Sequence, residues 1–96
     1  MKLFEIHITF NVPEEEKKKE LEEFTERMNW KWSYIRNDPV LGKRNFCYAT
    51  KYASTLEQAK EFIRLFSSEC VFVPVRQKIE HIVYDTKLGE SFLGLS

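Results

Sequence analysis

From Phe4 to Val12 apolar and polar residues alternate without a break: Phe4, Ile6, Ile8, Phe10 and Val12 against Glu5, His7, Thr9 and Asn11. Successive side chains of a strand point to opposite faces. This spacing predicts a strand with one apolar face that needs a core. The other face carries an imidazole and a hydroxyl two residues apart. The segment Val75–His81 reads the same way and groups Arg76, Lys78 and Glu80 on one side. If the fold sets the two strands together, the polar faces merge into one cluster.

Between them the period changes. After Pro13, which suits the first position of a helix because it lacks an N–H, Glu14, Glu15 and Glu16 fall where the helix dipole favours negative charge. Lys17 to Lys19 follow, with Glu14–Lys18 and Glu15–Lys19 as favourable i,i+4 pairs. Leu21, Phe24 and Met28 mark an apolar stripe, and the charge-rich remainder is expected to be a solvated face. Trp30 to Arg36, aromatic and β-branched, predicts a second strand. Turn chemistry at Asn37-Asp38-Pro39 and Gly42 leads to a third, Arg44 to Tyr52. Ser54-Thr55-Leu56-Glu57 matches a capping box with Ser54 as N-cap. Leu56, Ala59, Phe62, Ile63 and Phe66 then form a second helical stripe. The fourth strand is expected to start near Val71 and to extend towards Asp85, with Pro74 tolerable only at a sheet edge.

The order β-α-β-β-α-β predicts an α+β, ferredoxin-like two-layer sandwich: an antiparallel sheet of order 4-1-3-2 with both helices on one side. One domain over residues 1–86 and a short tail over 87–96 account for the chain. Ninety-six residues leave no room for a second core. In this fold the first strand is central and lies beside the fourth. That places His7 and Thr9 next to Arg76, Lys78 and Glu80 on the helix-free face. His81 has the opposite parity and is expected on the helix side in a structural role.

Charge narrows the function classes. Lys plus Arg equals Asp plus Glu at 15 each, which argues against broad, sequence-independent nucleic-acid binding. Cys47 and Cys70 are too few for a disulfide scaffold and form no C-x-x-C pair. No metal motif, Gly-rich phosphate loop or nucleophile elbow is present, so neither a metal nor another cofactor is expected. The start, Met1-Lys2-Leu3-Phe4-Glu5, lacks the apolar run of a secretory signal, and no stretch reaches membrane-spanning length. A cytoplasmic protein with reduced thiols and no membrane partner is the expectation.

The polar cluster suits an anion. Arg76 offers a planar fork for phosphate or carboxylate and Lys78 a mobile point charge. Thr9 can donate a hydroxyl. His7 can move a proton near neutral pH, with Glu80 orienting it or acting as a base. The plainer alternative is a solvated sheet face with cross-strand ion pairs. The third strand admits two directions. If Phe46 and Tyr48 point outward they make a stacking platform. If they point inward they are core, and Cys47 and Ala49 leave a low floor beside His7. The need for large residues opposite the helices favours inward.

Three resemblances bear on these residues. Arg44-Asn45-Phe46-Cys47-Tyr48-Ala49 partly resembles the aromatic octamer of the RRM family, which stacks RNA bases on this strand of this fold. Asn45 replaces the usual Gly, and the last aromatic, Tyr52, is one place late. His7-Ile8-Thr9 resembles the H-x-T motif of the 2H phosphoesterases, in which two such motifs sit on two lobes. That likeness implies an acid–base role for His7 and a phosphate contact for Thr9. His81-Ile82-Val83 lacks the hydroxyl, so a complete site of that kind needs a homodimer. Taken together, His7-Ile8-Thr9 and Arg76-Gln77-Lys78-Ile79-Glu80 are similar to a scattered group of small uncharacterised ferredoxin-like proteins with an H-I-T first strand and an R-x-K-I-E last strand. This implies that the two segments share one site and brings no established activity.

The expected function is binding of a phosphate-bearing small molecule, with a nucleotide among the candidates, through Thr9, Arg76 and Lys78. Phosphoesterase-like acid–base chemistry would fall to His7 and Glu80, and the sequence leaves open whether a reaction is catalysed. The alternative is an RRM-like RNA-binding or protein-interaction module using the sheet face. Dimerisation is also expected, because net charge is near zero and the tail carries Leu88, Phe92, Leu93 and Leu95.

Overall fold

The computed structural model describes residues 3–35 and 46–82. The elements run β1 (Phe4–Asn11), α1 (Glu15–Arg27), β2 (Lys31–Ile35), β3 (Phe46–Ala53), α2 (Leu56–Glu69) and β4 (Arg76–His81). The four strands form one sheet of order β2-β3-β1-β4, and every neighbouring pair is antiparallel. This α+β arrangement has the expected strand order and is roughly consistent with the ferredoxin-like split. The turn Asn37-Asp38-Pro39, Gly42, Arg44, Asn45 and the tail lie outside the described residues. Among the described residues no helix is long and apolar enough to cross a membrane.

The alternation of β1 becomes the layering of the molecule. Ile6, Ile8, Phe10 and Val12 are buried together with Leu21 and Phe24 of α1 and Ala59 and Phe66 of α2. Both helices therefore cover the same face of the sheet. Phe66 is the hub: its ring centroid lies 6.2 Å from Phe10, 5.0 Å from Phe24 and 4.7 Å from Trp30. Trp30, expected to open the second strand, sits one residue before it and is buried in this cluster.

Several local expectations are corrected. Pro13 is not the first helical residue, because Glu14 is the extended N-cap and α1 begins at Glu15. The helix ends in a Schellman motif: Asn29 N–H donates to Glu26 O and Trp30 N–H to Thr25 O, each at 3.0 Å. Asn29 takes the left-handed conformation this requires, with φ 67°, which asparagine tolerates better than most residues. At α2 the cap is Thr55, not Ser54. Thr55 Oγ1 accepts from Gln58 N–H at 3.0 Å, and Gln58 Oε1 accepts from Ser54 N–H at 2.7 Å. Gln58 takes the part expected of Glu57, but its side chain reaches the N–H of Ser54, one residue before the cap, and not that of Thr55. Leu56, in the first turn, remains 38% exposed.

The fourth strand starts later than expected. Val71 and Val73 are more than 80% exposed, and β4 begins only at Arg76. Pro74 lacks the N–H a ladder needs. The first bond to β1 comes just after it, from Val75 N–H to Thr9 O at 2.8 Å.

The charge-rich face of α1 is not wholly solvated. Lys18 is buried, and its Nζ donates to Tyr34 Oη at 2.7 Å and to Glu15 Oε1 at 3.0 Å. The Tyr34 hydroxyl, and then Glu15, hold the ammonium above its usual range against the opposing effect of burial. The ammonium also lies 4.0 Å from the centre of the Tyr34 ring.

Two buried polar groups give tests of this packing. Thr25 is fully buried and its Oγ1 has no hydrogen-bond partner among the described residues. An unmet buried hydroxyl costs about 1–3 kcal/mol, so Thr25→Val is expected to stabilise the fold by about 1 kcal/mol. A urea midpoint that falls would contradict this. The Cys47 thiol is fully buried, and desolvation pushes its pKa up to about 11. At pH 8 it should hold only about 0.1% thiolate, and an aromatic disulfide reagent should modify it only after denaturant is added. Fast reaction of Cys47 in the native protein would show that the core is open there.

Candidate functional site

The helix-free face is organised in rungs across β3, β1 and β4. The register pairs Tyr52 with Glu5 and Glu5 with Glu80; Thr50 with His7 and His7 with Lys78; Tyr48 with Thr9 and Thr9 with Arg76. A further rung pairs Phe46 with Asn11. Directly opposed residues project to the same side of a sheet. The face is therefore graded, with the carboxylates of Glu5 and Glu80 at one end, His7 and Lys78 opposed on the middle rung, and Arg76 beyond them beside Thr9.

All five residues expected at the site, His7, Thr9, Arg76, Lys78 and Glu80, are thus neighbours on this face. His81 has the other parity and stacks on Phe4 with ring centroids 5.0 Å apart, at an exposed position.

The favoured direction of β3 is overturned. Phe46, Tyr48 and Thr50 line the open face together with His7 and Thr9, while Cys47, Ala49 and Ala53 belong to the core. Small residues suffice there because Phe66, Phe24 and Trp30 already fill the space between the layers. The result is a cleft of about 510 Å³. Its floor is His7, Thr9 and Thr50. Phe46 and Tyr48 bound it on β3, Arg76 and Lys78 on β4, and Ser33 and Val75 complete its rim. Thr9 and Thr50 are buried, and Phe46 is only 7% exposed.

His7 is held at both ring nitrogens. Nδ1 is 3.2 Å from Thr50 Oγ1. Nε2 is 3.2 Å from Glu5 Oε1 and 3.9 Å from Glu80 Oε1. Glu5 Oε2 accepts from the Tyr52 hydroxyl at 2.9 Å, and this bond raises the Tyr52 phenol above its ordinary range. Lys78 Nζ lies 3.5 Å from Glu80 Oε1. Arg76 is exposed, and its guanidinium has no partner among the described residues.

Glu5, Thr50 and Tyr52 are the members that sequence reasoning missed. Glu5 shares the parity of His7 and could have been included on that ground. Thr50 and Tyr52 were hidden by the inward reading of β3. The ligand atoms of Glu5, His7 and Glu80 all lie within 4.8 Å of one another, which makes these three the metal-competent group among the described residues.

The fold and this face define a small α+β domain with a polar cleft on an open antiparallel sheet. No protein-family model, curated protein or solved structure matches the chain, so the chemistry of the face rests on its own geometry.

Proposed function

We propose that the cleft binds a phosphate-bearing small molecule with a flat aromatic group, of the size of a mononucleotide. The observation that carries this is the pairing of unlike walls, with Arg76 and Lys78 on β4 facing the cleft from one side and Tyr48 and Phe46 on β3 from the other. Adjacent strands lie about 4.8 Å apart, so walls two strands apart are separated by about 10 Å, a span suited to a base and its phosphate. Arg76 supplies a fork for phosphate oxygens and Lys78 a second charge. Thr9, one rung partner of Arg76, offers a hydroxyl. A volume of about 510 Å³ is in the range of small-molecule sites.

Acid–base chemistry at His7 extends this reading. The imidazole sits between Thr50 and two carboxylates, with Glu5 closer than the expected Glu80. The two-motif phosphoesterase resemblance would require a homodimer that brings two His7-Ile8-Thr9 segments together. A ferredoxin-like sandwich acting in the cytoplasm completes this picture of the protein.

The outward Phe46 and Tyr48 favour a second reading, RNA binding in the manner of the RRM resemblance. The burial of Phe46 and the presence of His7 in place of an aromatic at the centre of β1 suit a compact ligand better than an extended strand. Amide spectra recorded during titration with a nucleoside monophosphate, inorganic phosphate or a short single-stranded RNA test both. The mononucleotide should saturate with shifts at His7, Thr9, Tyr48, Arg76 and Lys78. Saturation by RNA alone would favour the second reading, and no shifts with any ligand would remove both.

A further inference from the structure

The other end of the same face raises a separate question. Glu5 and Glu80 are directly opposed across β1 and β4, and like charges in that position destabilise a sheet. His7 Nε2 faces both carboxylates. Nδ1 lies on the buried Thr50 hydroxyl. When Nδ1 carries the ring proton and donates it to Thr50, Nε2 presents a lone pair to carboxylate oxygens that are also acceptors. In the other tautomer Nε2 carries the proton and donates to Glu5 Oε1 at 3.2 Å while Nδ1 accepts from the Thr50 hydroxyl. In the first, the space between these acceptors can take a metal ion.

The surroundings are arranged as around a metal. A ligating histidine normally has its other nitrogen tied to an oxygen, and ligating carboxylates are themselves hydrogen-bonded. Thr50 does the first for His7, and Tyr52 does the second for Glu5. These outer partners hold the imidazole and the Glu5 carboxylate beside each other, and Glu80 Oε1 lies 3.9 Å from Nε2. Ligands at about 2.0–2.2 Å from an ion lie roughly 3–4 Å apart. The group is already drawn in to within 4.8 Å.

We propose that Glu5, His7 and Glu80 form a binding site for a divalent first-row transition ion, of the Zn²⁺ or Mn²⁺ class. One imidazole nitrogen with two carboxylate oxygens suits such borderline ions. An all-oxygen shell would favour Mg²⁺, and thiolates would favour Cu(I). Lys78, which contacts Glu80, opposes the ion by repulsion. This site stands without the phosphate reading, and Lys78 separates the two: its removal weakens an anion site and strengthens a cation site.

The test uses the full chain. Mn²⁺ added to the labelled protein should broaden amides around Glu5, His7, Tyr52 and Glu80 before any on α1 or α2. Zn²⁺ calorimetry should give a saturable one-to-one isotherm. His7→Ala and Glu80→Gln should each weaken it at least about tenfold, Tyr52→Phe by about tenfold through the outer shell, and Lys78→Met should tighten it. Cys70→Ser should leave it unchanged. Glu80 lies on an exposed edge strand, so its variant serves even if His7→Ala folds poorly. Broadening centred on the acidic first turn of α1 would overturn the proposal. So would an isotherm that survives both His7→Ala and Glu80→Gln, or one that disappears in Cys70→Ser.

Discussion

Phe66→Ala is expected to remove about 4 kcal/mol of stability, near the upper range for deleting a buried aromatic ring. Phe66 is 1% exposed and touches rings from β1, from α1 and from Trp30 just before β2. No neighbouring helix or strand can close the void without moving the others, so little relaxation is available. Domains of this size are stable by roughly 5–15 kcal/mol, and such a loss would consume much of that margin. The urea midpoint should fall by about 2–4 M, given slopes of about 1–2 kcal/mol/M. Phe62→Ala, at a half-buried position on the same helix, should cost clearly less. Equal, small shifts for both variants would mean that Phe66 is not the hub of the core.

Arg76→Ala is expected to weaken mononucleotide binding by about ten- to a hundredfold, the effect of losing hydrogen bonds to a charged group. Arg64→Ala provides the comparison. Arg64 is exposed on α2, paired with Glu61, and belongs to the layer on the other side of the sheet. It carries the same formal charge, so removing it changes net charge equally and should leave affinity within about twofold. Tyr48→Ala should weaken the nucleotide and leave inorganic phosphate binding unchanged, because the aromatic wall serves only the base. Matching losses for Arg76→Ala and Arg64→Ala would reduce the interaction to diffuse charge. A loss of phosphate binding in Tyr48→Ala would mean that the two walls do not act separately.

The legible part of the site came from parity. Strict alternation in Phe4–Asn11 assigned His7 and Thr9 to one face, and the element order placed that strand beside Arg76, Lys78 and Glu80. Glu5 was equally visible in the alternation, but nothing local distinguished it from any solvated carboxylate. Its bond from Tyr52 and its opposition to Glu80 arise only when three strands are in register. Lys18 shows the same limit on a helix. Its neighbours in sequence are solvated, and its burial depends on Tyr34, which lies sixteen residues away.

The sequence by itself determined the period of each element, the order of the sheet and the chemistry of the β1 polar face. These follow from backbone geometry and from residues close along the chain. Tertiary structure decided which way β3 faces, where β4 begins and which groups surround His7. Both faces of Phe46–Ala53 carry residues compatible with either side, so period two alone could not choose between them. The choice fell to volume: Phe66, Phe24 and Trp30 fill the layer beneath the helices, leaving room there only for Cys47, Ala49 and Ala53. That put Phe46, Tyr48, Thr50 and Tyr52 on the open side, because complementarity between distant elements is settled by packing and leaves no signature in one strand.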